Sequence, residues 1–590
     1  MLCLSIFKFR QCIIIVQLIS KRLIFVKPFL FLYCQDAHKL NVLAERSAES
    51  FPNVFLHQPH VLGMSAGFPA DYPSRISDPA ENILKAEKIP FYFISEYSDD
   101  GLLVGTDPLG LTPVYYCKVD DAIAFSNMPA SLIDILQLEK KLSDEALSGW
   151  LAGQPVPELS LYENLRILPA GHYTRCNTQY PTIHRYWNID PEHRLELPGD
   201  DDYARYFREL LHEVVRDYCG NSDLLACQMS GGMDSTTITS IAQKWQRKRG
   251  KRCLAVSHYY RNDPNSDESK LIEDMRQFLL PDVFHFQEVD ESRYRNFLAL
   301  YPAHFDHPGI VVSPRYRDEL TDLKQAGVTT LLTGNGGDEM CWGHASAYTQ
   351  RLRNGEFGVF PEVYRACRDT NMSFAKVARH LFIKPLVPES LLNLARRLKG
   401  VSTETFIQLP TWMTDKSRAL AAASYNFANP FNERSEPVHF ARYFALKTST
   451  TFNSVRSYDA VADELGIRVK HPFFDRRIAE FSFAVPPKQL IRGAYPKFVL
   501  RNAMTNDLPE SVCWRKTKTT FDHHFANLVR ENADSLRECL SHTYLADRGL
   551  LNNAEVLKAF NNAVYNRQGG IQVDLLFVIL TQRWIQTFHS

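Results

Sequence analysis

The chain has no net charge to offer. Lys plus Arg number 67, Asp plus Glu also number 67, and formal charge is +0 over 590 residues. Binding nucleic acid through bulk charge needs an excess of basic residues, so no nucleic-acid partner is expected. Paired cysteines are also missing: the 12 cysteines are scattered and none forms a C-x-x-C. That excludes zinc-ribbon and thioredoxin-like spacings and fits reduced thiols in a cytoplasmic protein. No long uncharged apolar run occurs either. Residues 1–34 are the most apolar, but Lys8, Arg10, Lys21, Arg22 and Lys27 interrupt them. The longest uncharged stretch there, Gln11 to Ser20, is far short of the ~20 residues a membrane span needs, so no membrane partner is expected. The basic start and short apolar stretch resemble a signal peptide, but no small-x-small cleavage site follows. The segment reads instead as one or two buried strands, or as a start codon placed too early. Internal repeats and low-complexity tracts are absent.

What is present is an ordinary globular composition, 45% apolar and 23% charged. The chain is too long for one core, because single cores stop growing near ~250–300 residues. Residues 35 to about 190 carry short apolar runs separated by turn clusters ("FYFISEY", "GLLVGT", "PVYYCKV", "AIAFSN"), and "SDDG" at 98–101 marks a hairpin turn. "PEHRLELPGDDD" at 191–202 has weak periodicity and reads as a linker. From Tyr203 the pattern changes to strands alternating with helices. "YFRELLHEVVRDY" is helical, "LLACQM" a strand, "STTITSIAQKWQRKRG" a helix, "RCLAVSHYY" a strand, "DESKLIEDMRQFLL" a helix and "TTLLTG" a strand. This predicts an α/β unit with a doubly wound parallel sheet. After about residue 360 the pattern is mostly helical to the end. The expected organisation is therefore 1–190, a linker at 191–202, and 203–590.

Two loops carry the chemistry. "QMSGGMDSTT" at 228–237 joins a predicted strand to a predicted helix, where the first-turn amides lack intrahelical partners. Gly231 and Gly232 let backbone N–H groups approach phosphate oxygens, and Ser230, Ser235 and Thr236 add hydroxyls. Asp234 would repel a phosphate unless a cation lay between, which points to Mg²⁺. No lysine follows the glycines, so this is not a Walker A loop. The competing reading is a tight turn with Asp234 or Ser235 capping the helix. "LLTGNGGDEMCWG" at 331–343 repeats the order of strand, glycines (Gly336, Gly337) and acids (Asp338, Glu339). Two such strand-end loops could clamp one metal–pyrophosphate, which favours ATP cleaved between its α- and β-phosphates.

"SGGMDS" resembles the pyrophosphate loop of the ATP-pyrophosphatase superfamily. "GNGGDE" and "HPFFDRRIAEFSFAVPP" narrow the resemblance to the asparagine synthetase family. "VGTDPLGLTPVYY", "LYENLRILPAGHYTRC" and "RYWNI" are similar to its glutaminase-domain segments. The resemblance implies an N-terminal α+β Ntn-like sandwich, then an ATP-pyrophosphatase domain with a helical C-terminal part. It implies a carbon–nitrogen ligase that activates a carboxylate as an acyl-adenylate, releases pyrophosphate and lets an amine form the amide. Carried over, Ser230, Gly232, Asp234 and Ser235 hold pyrophosphate and Mg²⁺, Asp338 is the second metal-binding acid, and Ser257 marks backbone binding of adenine. Lys497 in "YPKFVLRNAM" matches the family's catalytic lysine, a fixed cation where negative charge develops. Arg515, Lys516 and Lys518 form a basic cluster that reads equally as a solvated charge run.

The pattern departs from the family at two places. Leu2 follows Met1, with Cys3 next, where a working glutaminase needs an exposed cysteine nucleophile. Arg468 in "GIRVKHPFFD" stands where the family usually has glutamate, and arginine cannot serve as a base. With "WRKTK", these features resemble lasso-peptide cyclases, which join a precursor's Asp or Glu side chain to its own N-terminal amine. That reading implies a small precursor peptide as substrate and a leader-peptide-binding or protease partner. The alternative is a glutamine-hydrolysing asparagine synthetase, acting on aspartate, whose start is misplaced.

Overall fold

The computed structural model describes residues 101–589 except 121, 177–180, 261–265, 289–306, 311–312, 388–408, 449, 517–518, 520–521 and 566–572. Before residue 101 it describes 22–23, 29–34, 39–40, 42–43, 46, 53–58, 61–65 and 93–98. Cys3 and Leu2 therefore lie outside the described residues.

Two antiparallel sheets form the N-terminal part. One runs, in order, Arg22–Leu23, Phe93–Ser98, Gly101–Thr106, His172–Cys176 and Thr182–Arg185. The other runs Asn53–Gln58, Val61–Ser65, Phe29–Cys34, Ala122–Ser126, Tyr115–Val119 and Arg166–Ile167. Ser98 pairs with Gly101 at the "SDDG" signal, so those strands are a hairpin. Phe29–Cys34 is an interior strand, paired on both sides.

The second half is built on five parallel strands: β1 (Leu224–Gln228), β2 (Arg252–Tyr259), β3 (Val283–Glu288), β4 (Thr330–Leu332) and β5 (Arg468–Lys470). Their order is β3-β2-β1-β4-β5. Strand alternation feeds both faces. Leu225, Cys227, Cys253 and Ala255 pack with helices α1 (Asp200–Cys219) and α2 (Met233–Lys248). Ala226, Leu254 and Val256 pack with Tyr316, Leu320, Tyr458 and Val461 on helices at Ser313–Gln325 and Thr451–Leu465. The sheet is thus doubly wound, as the alternating sequence pattern predicts.

Three features were not visible in the sequence pattern. β3 is an edge strand of half-buried residues, so it shows no clean alternation. β5 is three residues long inside the region expected to be helical, and Ile491–Arg492 pairs with Tyr495–Pro496 in a minimal hairpin. Segments this short carry no readable period. The stretch 191–202 is tied down: Leu195 N–H donates to the Ala484 carbonyl at 3.0 Å, Arg194 pairs with Glu436 at 2.6 Å, and Asp200 already opens α1. Among the described residues no helix is long and apolar enough to cross a membrane.

Candidate active site

Order β3-β2-β1-β4-β5 reverses direction between β1 and β4, and open parallel sheets bind ligands at the carboxyl ends of such neighbours. Both glycine–acid loops emerge there. The first is knotted by its own hydroxyls. Ser235 Oγ accepts the Ser230 N–H at 3.0 Å and lies 2.8 Å from Ser230 Oγ, which accepts the Gly232 N–H at 3.0 Å. Thr236 folds back on the Gly232 carbonyl at 2.5 Å, so its hydroxyl serves the helix start. Gly232 is the N-cap of α2 and Asp234 lies in its first turn. Gly232 has no side chain to cap with, and both Asp234 carboxylate oxygens accept from Lys497.

The second loop fits the first through two missing side chains. A Cβ on Gly334 would fall 2.4 Å from Ser235 N, and one on Gly337 would fall 2.3 Å from Asp234 Cγ. Only glycine permits such contact. Asp338 follows in the short helix Gly337–Cys341.

Lys497 closes the arrangement from a third direction, between Tyr495–Pro496 and helix Phe498–Met504. Its Nζ lies 2.6 and 2.5 Å from Asp234 Oδ1 and Oδ2 and 2.6 Å from Asp338 Oδ1. It also sits 5.9 Å from the Trp342 ring centre. Lys497 has φ 60°, a left-handed conformation that non-glycine residues adopt at a cost. Burial alone would lower the ammonium pKa, but the two carboxylates outweigh it and hold the group well above its usual value. With both carboxylates beside it, Lys497 is held as a cation.

A cavity of about 240 Å³ opens beside this cluster. Ser230, Gly232, Asp234, Ser235, Gly334 and Asn335 form its loop side. Val256, His258, Tyr260, Ser266, Glu268 and Arg315 form the β2 side. Burial, with Arg315 nearby, pushes the His258 imidazole down to about 3, so it is neutral.

Several residues singled out in the sequence sit differently from expectation. The Gly231 N–H does not face the cavity; it donates to Glu268 Oε2 at 3.0 Å, and Gly231 packs against Leu271. Ser257 is buried, with its hydroxyl donated to the Met229 carbonyl, so it fastens the first loop to β2. Its neighbours Val256 and His258 reach the cavity instead. Gly336 packs on Phe473 and Phe474, and Gly337 makes room for Asp234. Arg515 donates to Glu268 Oε1 at 2.9 Å and so braces the cavity wall, whereas Lys516 pairs with Asp369 at 3.0 Å. Lys518 lies outside the described residues. Arg468 pairs in register with Thr330, the first residue of β4, roughly 7 Å back from the carboxyl end of that strand at ~3.3 Å per residue. Glu268, Arg315, Gly334 and Asn335 were missed; only Gly334 and Asn335, inside the second loop, had a local signal.

Asp234 and Asp338 come from different strand ends yet meet at one cation. Among the described residues no three His, Cys, Asp or Glu side chains gather as a metal cage. A pair of carboxylates is the donor set Mg²⁺ uses when phosphate oxygens supply the rest, so these residues fit that ion.

Comparison with known proteins matches these features. Residues 206–586 match the asparagine synthase family and residues 89–187 match a glutamine amidotransferase domain. Asparagine synthetase [glutamine-hydrolyzing] 1 of Bacillus subtilis is 22% identical over 72% of this chain and 66% of its own. Asparagine synthetase [glutamine-hydrolyzing] 3 of the same organism is 22% identical over 70% and 64%. Amidase chry2 of Gibberella zeae is 21% identical over 57% and 54%. The chain thus spans just under two thirds of the first two relatives. With more than half its length matched by one family model, and with both loops of the synthetase half converging on Lys497, the chain belongs to the asparagine synthase family.

Proposed function

We propose that this protein is an ATP-dependent ligase that forms an amide through an acyl-adenylate. The observation that carries the reading is the Lys497 ammonium held within 2.6 Å of carboxylates from two strand-end loops, beside a cavity of nucleotide-site position. In this reading residues 1–190 are the glutaminase-like unit, 191–202 the linker and 203–590 the synthetase unit, working in the cytoplasm. Ser230, Ser235 and the first-turn amides of α2 bind the pyrophosphate part of ATP. Asp234 and Asp338 would hold Mg²⁺, which when bound neutralises phosphate charge. A substrate carboxylate oxygen attacks the α-phosphorus, the bond to the bridging oxygen breaks, and pyrophosphate leaves with the electron pair. Lys497 stabilises the charge that grows on those oxygens more than the charge present at the start. An amine then attacks the acyl carbon, AMP departs, and the amine proton passes to a base.

The substrate we favour is a small precursor peptide, closed between an Asp or Glu side chain and its N-terminal amine, as in lasso-peptide cyclases. Among the described residues, five of the eleven exposed large apolar side chains fall between 357 and 383: Phe357, Phe360, Tyr364, Met372 and Ile383. Two of them, Phe360 and Tyr364, lie on helix Val359–Asp369, which reaches the cavity wall through Asp369, Lys516 and the neighbouring Arg515–Glu268 pair. A peptide needs such surface beyond the cavity; free aspartate does not. The second reading, a glutamine-hydrolysing asparagine synthetase, is favoured by the glutamine amidotransferase match and by the names of the B. subtilis relatives.

ATP–pyrophosphate exchange tests both. Exchange should require Mg²⁺ and a carboxylate, with peptides active under the first reading and aspartate under the second. Asp234→Ala should abolish exchange while thermal unfolding stays close to wild type. No exchange with any carboxylate, or full exchange in the variant, would sink the ligase reading.

A further inference from the structure

The cavity wall holds a cation with one hydrogen-bonding edge unpaired. Arg315 stands in the first turn of helix Ser313–Gln325 and lines the cavity. One terminal nitrogen donates to the Tyr260 hydroxyl. Its Nε is buried with no hydrogen-bond partner, and the buried Glu319 balances part of its charge without bonding that edge. The hydrogen bonds of the carboxylates around it go elsewhere. Glu319, one turn along the same helix, accepts both Gln228 amide bonds at 3.0 and 3.2 Å and the Tyr458 hydroxyl. Glu268 serves Arg515 and the Gly231 N–H, and Asp234 serves Lys497. His258 beside it is neutral.

A guanidinium withdrawn from water with one edge unpaired is costly, because the hydration lost there is not replaced. Such a group on a cavity wall is matched to an anion that arrives with the ligand. A second donor on the same wall is in the same state: the Asn335 Nδ2 is buried and has no acceptor. The pyrophosphate end is already furnished by Ser230, Ser235, the start of α2 and Lys497. The anion left over, once pyrophosphate is assigned there, is the phosphoryl group that stays on the nucleoside.

We propose that Arg315, assisted by Asn335, grips the α-phosphoryl group of the bound nucleotide and keeps the adenylate in place after pyrophosphate leaves. Arginine suits this task, since its planar fork offers two parallel donors to phosphate oxygens. The proposal rests on the reading of the cavity as an ATP site split at the α–β bond. It makes Arg315 a residue that senses a nucleoside monophosphate and ignores the bare nucleoside.

Equilibrium binding of AMP and of adenosine to the full chain, followed by calorimetry with no acceptor present, tests it. Wild type should bind AMP more tightly than adenosine. Arg315→Met should weaken AMP at least tenfold and change adenosine less than twofold. Arg315→Lys, which keeps a charge but not the fork, should lose part of the AMP affinity only. Asn335→Ala should show a smaller loss of the same selectivity. Equal losses for AMP and adenosine, unchanged AMP binding in Arg315→Met, or a wild type that does not prefer AMP would overturn the assignment. If Arg315→Met does not fold, Arg315→Lys decides on the same criteria. The ligase reading fails separately: Arg315-dependent AMP binding without exchange on any carboxylate would remove the ligase and leave this site.

Discussion

Asp234 carries two demands at once. Its carboxylate accepts Lys497 through both oxygens, and its Cγ stands where a side chain on Gly337 would have to go. Replacing Gly337 by alanine puts a methyl group 2.3 Å from that carbon. The carboxylate, not the backbone of the second loop, is the softer partner, so Asp234 should move away from the Lys497 cluster. A displacement of about 1 Å in a reacting site costs on the order of 100-fold in rate. Gly337→Ala should therefore lower pyrophosphate exchange by that order while circular dichroism stays native. Near-wild-type exchange would mean that Asp234 does not need its present position. The glycines and acids were legible in the sequence because both loops repeat one order of residue types. Which glycine does what was not legible, since that depends on what stands opposite: Gly231 meets Leu271 and Gly337 meets Asp234.

At the scale of elements, β1, its loop and α2 announce themselves by an apolar run, a glycine pair and a helical period. What holds that unit in place does not. Glu268, immediately before helix Ser269–Leu279, accepts the Gly231 N–H, and Arg515 from far along the chain neutralises it. Neither residue has a local signature, because their link spans 247 positions. Removing Arg515 leaves the Glu268 charge on the wall of a cavity meant for phosphates. Arg515→Met should thus raise KM for ATP more than it lowers kcat. The expected factor is roughly tenfold, equivalent to ~1.4 kcal/mol, within the ~1–3 kcal/mol range for stranding a buried polar group. Adding Glu268→Gln to that variant should restore part of the affinity. A pure kcat effect, with KM unchanged, would place Arg515 in the chemistry and not in the brace. The same limit explains β3 and β5, which pair correctly with β2 and β4 but carry too little pattern to be seen in sequence.

Across the whole molecule, the two halves are joined by a shared hydrophobic cluster. Trp150 and Tyr162 of the N-terminal part pack on Phe577 and Trp584 of the last helix, Val573–His589, with ring centres 5.6 and 6.1 Å apart. The same cluster takes in Leu147 and Leu151 of helix Asp144–Leu151 with Trp412, Leu536, Leu545 and Phe560 from the C-terminal region. Polar ties follow the same route: Asp144 pairs with Lys416 and Arg548, at 2.8 and 2.6 Å. A sequence read piece by piece divides at 191–202, because composition changes there. Burial does not divide at that point, since the last helix completes the packing around Trp150. Trp584 is fully buried, and large-to-small changes of such a residue cost ~3–5 kcal/mol. Trp584→Ala should therefore lower the urea midpoint for both halves together, in one transition seen alike by near-ultraviolet and far-ultraviolet dichroism. If the N-terminal strands instead melted separately, ahead of a synthetase half that kept its stability, the shared cluster would be a contact between independent units, not a common core.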